Sequence, residues 1–264
     1  MRTLIELENG EQKQANVLLC ELGEQYVIHG MYDERSRTIT SLQYLEIENW
    51  TREIIEKLSR KFSELKSEKQ FFCSAFPKNI LIPRNYFFEQ NILHLMFDMQ
   101  KDFFMQDQIP EWQIINSYAF PDAAHKYLSE QFPSAEFRNV FTPSLKIYNG
   151  FTAENQVAIF FNSKQFRVII KKGGQLQLAQ MYIYTSSSDV IYYLLKIFLE
   201  LDLSKDDTIL ILSGLIEEDS ALYKQLFSYF PHIHFAVPST IKLLNSDKPH
   251  HYFTSLYNLA ACVS

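Results

Sequence analysis

Two histidines with the spacing of metal ligands lie late in the chain. His232 and His234 are separated by Ile233, and residues two apart on a strand point to the same face of a sheet. Imidazoles in this arrangement bind zinc when a carboxylate or a third histidine completes the site. The pattern supplies no such ligand, and His250-His251 falls in a later loop or helix start. Solvated histidines are therefore the expected interpretation, and we predict no metal site.

The candidate nucleophiles form no catalytic motif either. Cys20, Cys73 and Cys262 are odd in number, far apart and set among apolar neighbours. This predicts buried thiols in a reducing compartment rather than zinc ligands or disulfides. No serine stands in the Gly-x-Ser-x-Gly pattern of a nucleophile elbow. We predict no catalytic residue and favour a protein that is not an enzyme.

Composition narrows the classes of function. The chain has 264 residues and 47% apolar content, enough for a large core in one large domain or two lobes. Its 22 Phe and 15 Tyr far outnumber its 7 Gly, so few residues let the backbone approach a ligand closely. A net charge of −6 argues against a surface that wraps nucleic acid. The basic residues Lys164, Arg167, Lys171 and Lys172 are expected on a solvated strand face.

The N-terminal residues do not have the pattern of a signal peptide. Acidic Glu6 comes before any long apolar run, and 18 uninterrupted apolar residues occur nowhere. We expect a cytoplasmic protein without membrane contact.

Each half of the chain opens with the pattern of three short strands. In the first half, β-rich runs cover residues 16–21, 25–31 and 38–47, with turns near Gly23 and at 33–36. Connections this short predict an antiparallel meander. The elements expected next are a helix from Trp50 with Asn49 as N-cap, a strand over 71–76, a helix over 82–105 starting near Pro83, a strand over 114–118, a helix over 121–132 and an ambiguous hinge segment over 136–150.

The second half repeats this opening. Strands are predicted over 157–161 and 166–170, and Gly173-Gly174 turns the chain into a third strand that reaches Tyr184. Ser186 and Asp189 then have the spacing of a capping box before a broad helical apolar face. The remaining expected elements are a central strand over 208–212, a helix that starts at Glu217-Glu218, a strand over 232–237 and a final helix over 252–263.

This order of elements resembles the actin-like ATPase fold, in which nucleotide sits between two ribonuclease H-like lobes. More narrowly, the chain is similar to an uncharacterised Bacteroidetes protein family with that fold. The resemblance is carried by Val17–Glu21, Leu81–Pro83, Ile209–Gly214, His251–Phe253 and Asn258-Leu259. It implies an α/β fold of duplicated ribonuclease H-like lobes, over residues 1–150 and 151–264, each starting with a three-stranded antiparallel meander.

The resemblance also implies where a nucleotide would bind. Active relatives hold phosphate in glycine-containing turns, where backbone N–H groups reach the phosphate and a carboxylate helps to place magnesium. The corresponding candidates, a vestigial or divergent nucleotide site, are Glu21, Gly23, Asn162, Ser163, Ser213 and Gly214. Glu24 adds negative charge to the first turn, the turn at 162–165 lacks both acid and glycine, and Leu215 replaces an expected second glycine.

Three functions follow from the resemblance, and the first is preferred. It is a non-catalytic actin-like protein that acts as a macromolecular interaction module and needs no cofactor. The alternative is an ATP-binding protein or ATPase that uses ATP and magnesium. A nuclease would need metal-binding carboxylates, for which the nearest supply is Glu21, Asp33, Glu46 and Asp189.

The expected partner is a protein rather than nucleic acid or a membrane. The resemblance to the uncharacterised family further implies a link to the machinery that modifies ribosomal RNA, because genes of that family often lie beside one for a ribosomal RNA methyltransferase. The aromatic stretch over 87–104 is a candidate for an exposed partner-binding patch.

Overall fold

The chain forms two structural units in the computed structural model, which describes residues 1–7, 15–86, 102–148, 153–237, 240–244 and 246–263. Unit 1 comprises Met1–Asn149, Ser239–Asp247 and Leu256–Ser264, and unit 2 comprises Gly150–Pro238 and Lys248–Ser255. The chain passes from unit 1 to unit 2 near residue 150, and two C-terminal segments belong to unit 1. The ribonuclease H-like lobes expected over residues 1–150 and 151–264 stay a prediction.

Unit 1 contains a large mixed sheet and a small antiparallel sheet. Its elements up to residue 148 are β1 (Arg2–Leu7), β2 (Val17–Gly23), β3 (Tyr26–Asp33), β4 (Thr38–Glu46), α1 (Arg52–Glu64), β5 (Lys69–Ala75), β6 (Asn79–Pro83), a 3-10 turn (Arg84–Tyr86), β7 (Asp102–Ile109), a 3-10 turn (Pro110–Trp112), β8 (Ile114–Pro121), α2 (Asp122–Gln131), β9 (Glu136–Asn139) and α3 (Phe141–Tyr148). The large sheet has the order β1-β4-β3-β2-β5-β9 and the small one β6-β8-β7. The predicted meander corresponds to β2–β4, and β5 joins β2 in parallel.

Unit 2 contains one five-stranded sheet. Its elements are β10 (Gln156–Phe161), β11 (Gln165–Lys172), β12 (Gln175–Ile183), α4 (Ser187–Glu200), β13 (Ile209–Gly214), α5 (Ala221–Tyr229), β14 (Ile233–Phe235) and a 3-10 turn (His250–Phe253). The order is β12-β11-β10-β13-β14, with β13 parallel to β10. The predicted second meander and the Ser186 capping box are confirmed.

The end of the chain adds two elements to unit 1. They are β15 (Lys242–Leu243) and α6 (Thr254–Val263), of which the residues from Leu256 onward belong to unit 1. β15 pairs in parallel with Thr38 and Ile39 of β4. None of the helices that the described ranges contain is long and apolar enough to span a lipid bilayer.

Each sheet buries an apolar face under helices. In unit 1, alternate residues of β2 such as Leu18 and Leu22 pack with Leu58 and Phe62 of α1 and with Leu128 of α2. In unit 2, the equivalent cluster joins β10, β11 and β13 to α4 and α5. This alternation follows from the two-residue repeat of a strand.

Several sequence predictions of the first half are wrong in detail. The N-cap of α1 is Thr51, whose side chain accepts a hydrogen bond from the backbone of Ile54, and not Asn49. The helix predicted over 82–105 is contradicted at both ends, where β6 and β7 pair with β8; residues 87–101 lie outside the described part of the chain. Strand pairing over eight residues outweighed a local helical spacing.

In the second half, the starts of two helices and the burial of basic strand residues differ from the predictions. The helix expected from Glu217 begins at Ala221, because Ser220 caps it. The last helix is preceded by a 3-10 turn over His250–Phe253. Arg167 and Lys171 are buried rather than solvated, and the Arg167 guanidinium lies 4.1 Å from the centre of the Phe160 ring. Cys20 and Cys73 are buried as expected, whereas Cys262 is half-buried; all three are free thiols.

A buried histidine makes the stability of unit 1 depend on pH. The ring of His29 on β3 packs edge-on against Phe62 of α1, with 5.3 Å between centroids, and His29 Nε2 lies 3.2 Å from Gln43 Oε1. Burial lowers the pKa of His29 to about 4, helped by the positive charge of Lys61 and partly opposed by the bond to Gln43. Folding therefore favours the neutral ring.

We expect the free energy of unfolding to fall by about 3 kcal/mol as the pH decreases from about 7 to about 4, through His29 alone. The unfolded chain binds this proton near pH 6.5, whereas the folded chain binds it only near pH 4. The stabilisation is thus complete above pH 6.5 and is lost on acidification. Urea unfolding of wild type and His29→Gln at both pH values isolates the effect; equal pH dependence in the two proteins would contradict it.

Candidate functional site

In unit 1, the candidate carboxylate is already bound within the protein. Glu21 lies on β2 with 1% of its surface exposed. The hydroxyl of Tyr26, at the start of β3, donates a hydrogen bond of 2.5 Å to Glu21 Oε1. Tyr26 also stacks on Tyr44 of β4, with ring centroids 5.7 Å apart. The hairpin therefore holds Glu21 against an aromatic pair.

The space next to Gly23 is filled by the same tyrosine. A Cβ atom built on Gly23 would overlap the ring of Tyr26, so the glycine is needed for this ring to pack on the backbone. The Trp50 indole donates a 2.8 Å hydrogen bond to the carbonyl oxygen of Gly23. The space that a phosphate would need at Gly23 is therefore occupied by the ring of Tyr26.

A shallow depression of about 370 Å³ lies beside this hairpin in unit 1. Its lining includes the carboxylates Glu24, Glu48 and Asp102, the indole of Trp50, and Lys78. Lys78 forms an ion pair with Asp102. Because the charged lining residues are three carboxylates and one paired lysine, the depression disfavours a phosphate.

In unit 2, the turn between β10 and β11 is closed by its own backbone. The N–H of Asn162 donates to the carbonyl of Gln165 at 2.8 Å, and the Tyr184 hydroxyl donates to the Asn162 carbonyl at 2.7 Å. Asn162 is buried, whereas Ser163 and Lys164 are exposed. Only the latter two present side chains at the tip of this turn.

The other two candidates of unit 2, Ser213 and Gly214, join β13 to β10. Gly214 has φ of +79°, and a Cβ atom there would overlap the Phe161 carbonyl oxygen and lie 2.7 Å from the Phe161 nitrogen. The N–H of Leu215 donates to that same carbonyl at 2.8 Å. The Ser213 hydroxyl donates to the carbonyl of Ile159 at 3.1 Å. Ser213 and Gly214 therefore both contact the backbone of β10.

The chain itself covers the segment that follows β13. His251 Nε2 lies 2.8 Å from the carbonyl oxygen of Ile216, and the Tyr252 hydroxyl donates to Glu217 Oε1 at 2.5 Å. The His251 ring stacks on Phe235 of β14, with centroids 4.2 Å apart. Burial lowers the pKa of His251, and burial together with the bond to Glu217 raises the pKa of Tyr252. The contact between residues 251–252 and the segment after β13 is thus made by a neutral imidazole and a protonated phenol. The sequence analysis did not predict this contact. The aromatic residues at 251–253 were the feature of the sequence that could have indicated it.

Two of the carboxylates considered for a nuclease, Asp33 and Asp189, have structural roles. Asp33 accepts hydrogen bonds from the backbone of Arg35 and the hydroxyl of Ser36. Asp189 closes the capping box of α4, and bonds from Thr185 and Ser186 lower its pKa to about 2. Within the described ranges, no three His, Cys, Asp or Glu side chains come together as a metal site. The exposed His232 and His234 are no exception.

The candidate residues thus form one local group within each unit. Glu21 and Gly23 share the first hairpin of unit 1, and Asn162, Ser163, Ser213 and Gly214 lie at neighbouring strand ends of unit 2. Chemically, the unit 1 group offers one hydrogen-bonded carboxylate. The unit 2 group offers the exposed hydroxyl of Ser163, beside the exposed ammonium of the neighbouring Lys164, which is not one of the candidates. Neither group contains a nucleophile paired with a base.

Comparison with known proteins places the chain in a family. Residues 7–233 match the family described as "Protein of unknown function (DUF3822)". The chain belongs to this family. No curated protein sequence matches it.

Solved structures establish the fold of this DUF3822 protein. It is similar to a Bacteroides thetaiotaomicron protein with actin-like ATPase fold and unknown function, at a TM-score of 0.75 and 16% identity, covering 94% of this chain and 96% of the other. It is also similar to a chain of the PilM-PilN type IV pilus biogenesis complex, at a TM-score of 0.59 and 11% identity, covering 95% and 99%. The predicted actin-like fold and the uncharacterised family are both confirmed.

The structural role of Gly214 can be measured against a matched glycine. Gly174 also has positive φ, +75°, but a Cβ atom there would meet nothing within 4 Å. We expect Gly174→Ala to cost about 1 kcal/mol for the left-handed backbone alone. Gly214→Ala should cost at least about 3 kcal/mol, because the strand ends must also separate. Chemical denaturation of both variants gives the comparison, and equal costs would show that the contact with Phe161 is unimportant.

Proposed function

We propose that this protein is a non-catalytic member of the actin-like fold, which acts in the cytoplasm by binding another protein. The observation that carries the proposal is what packs against the two candidate glycines. Gly23 packs on the ring of Tyr26, and Gly214 packs on the backbone of Phe161. Residues that could give a phosphate access to the backbone are engaged within their own units.

The burial of Glu21 supports the same function. Glu21 is buried, and its Oε1 accepts the hydrogen bond of the Tyr26 hydroxyl. A cation bound to Glu21 would have to be buried with it, away from water, which is costly without further ligands. Glu21 is therefore better suited to fastening the hairpin than to holding a cation.

The depression beside the hairpin carries negative charge. A triphosphate would meet Glu24 and Glu48, while Lys78 is neutralised by Asp102. Like charges at a few ångströms oppose binding unless counter-charges compensate. The lining of this depression instead favours neutral or positively charged groups, such as those of a protein surface.

A protein partner is compatible with the fold. The fold occurs in the PilM-PilN type IV pilus biogenesis complex, which is an assembly of proteins. Exposed aromatic side chains are available on this chain, among them Tyr86 and Phe103 of unit 1, although most of the stretch over 87–104 lies outside the described residues. A link to ribosomal RNA modification remains part of the proposal.

Titration with magnesium-ATP tests the absence of a nucleotide site. We expect no heat of binding at millimolar nucleotide and no rise in melting temperature, because a ligand at 100 times its Kd would stabilise the protein by about 2.7 kcal/mol. Ser163→Asp adds a negative charge at the exposed tip of the second turn and is the matched control. Micromolar binding by wild type that is weakened in Ser163→Asp would establish the ATP-binding alternative instead.

A further inference from the structure

The depression beside the first hairpin of unit 1 contains two carboxylates without a partner. Its lining includes Glu24, Glu48 and Asp102, and Asp102 is paired with Lys78. Glu24 and Glu48 are exposed, and neither forms a hydrogen bond or an ion pair with any residue that the structure describes. Their two charges are therefore available to a group from outside the chain.

The backbone holds these two carboxylates at one end of the large sheet. Glu24 is in the turn between β2 and β3, and Glu48 follows β4. The residues next to them are joined, because the N–H of Ile47 donates a 2.9 Å hydrogen bond to the carbonyl oxygen of Gln25. Like charges that line one depression repel each other unless a positive charge lies between them. Binding of a cation relieves this repulsion.

An aromatic ring in a fixed position lines the same depression. The indole N–H of Trp50 donates a 2.8 Å hydrogen bond to the carbonyl oxygen of Gly23, and the ring packs on Phe76 with 5.6 Å between the ring centroids. Trp50 is half-buried, so part of the ring remains open to a ligand. The face of an indole attracts cations more strongly than any other aromatic side chain does. The ring and the carboxylates therefore favour the same class of ligand.

The arrangement disfavours a bare metal ion as this ligand. Within the described ranges, no three His, Cys, Asp or Glu side chains come close enough together to bind a metal, and this holds for the three carboxylates of the depression. An indole N–H is a donor and offers a metal no ligand atom. The volume of about 370 Å³ is instead within the range of sites that hold small organic groups.

We propose that this depression binds an arginine side chain of the partner protein. A guanidinium is planar, so it stacks on the indole of Trp50 while its N–H donors, which lie in one plane, bind Glu24 and Glu48. A lysine ammonium is compact and more strongly hydrated, and it gains less from the ring. The inference rests on the proposed function, because it names the chemical group by which this chain recognises a protein partner.

Titration of the full chain with a short peptide tests the arginine site. The probe is acetyl-Gly-Ala-Arg-Ala-Gly-amide, and two matched peptides carry lysine or neutral citrulline in place of the arginine. The chain has two tryptophans, so its NMR spectrum contains two indole N–H signals. The signal of Trp50 reports on the site, and that of Trp112, whose indole donates to the carbonyl of Leu145, is the internal control.

We expect the arginine peptide to shift the Trp50 signal with a Kd on the order of 1 mM at low salt, because a single side chain anchors it. The lysine peptide should bind more weakly, and the citrulline peptide should not bind. Glu24→Gln with Glu48→Gln should weaken binding at least about tenfold. Glu53→Gln with Glu64→Gln, at two exposed positions of α1, is the matched control and should bind as wild type does.

An unchanged Trp112 signal verifies that each variant is folded. A Trp50 signal that does not respond to the arginine peptide by about 10 mM would overturn the arginine site, as would equal binding of the arginine and lysine peptides. Displacement of the peptide by magnesium at a similar concentration would assign the depression to a metal ion and would equally overturn it. Failure of the proposed function is a separate result, because it requires binding of magnesium-ATP, whereas loss of the arginine site alone leaves that function standing.

Discussion

The buried first strand of each meander is the constraint on which each unit depends. Every residue of β2 is buried, and β10 is buried at all but one position. Each has an antiparallel neighbour on one side and a parallel neighbour on the other. A parallel neighbour requires a crossover, so α1 and α4 are placed over the sheet by this pairing. The same pairing fixes the positions of the turns that end β2 and β10.

The same strand pairing determines what packs around the candidate residues. Where two parallel strand ends meet, as at Phe161 and Gly214, the backbones are close enough that only glycine fits. Glycine at such a position is therefore ambiguous in a sequence: it can admit a ligand or a neighbouring backbone. In this protein the neighbouring groups are a tyrosine ring in unit 1 and a peptide carbonyl in unit 2. Both glycines are therefore explained by packing within their own units.

Local patterns predicted much of the fold and little of the site. Both meanders, the α4 capping box and the buried strands β5 and β13 follow from alternation, turns and apolar runs that are local in sequence. The small sheet could not be predicted, because β7 pairs with β8 through a register that no local spacing encodes. The bond from Tyr26 to Glu21 and the packing of His251 on Phe235 depend on side-chain directions and on residues brought together by folding. Sequence reasoning named Glu21, Gly23 and Gly214 but not the groups that occupy their surroundings.

The late return of the chain to unit 1 has a consequence for synthesis on the ribosome. Lys242 of β15 pairs with Thr38 of β4, about 200 residues earlier, a separation that slows the formation of native contacts. Leu256 of α6 packs near Gly30 on β3. The unit whose strands emerge first is therefore completed last, after the sheet of unit 2 has been made. During translation, Thr38 and Ile39 of β4 and the surface at Gly30 therefore lack these partners until the last residues are made. Apolar surface exposed in this way favours binding by chaperones and association with other chains.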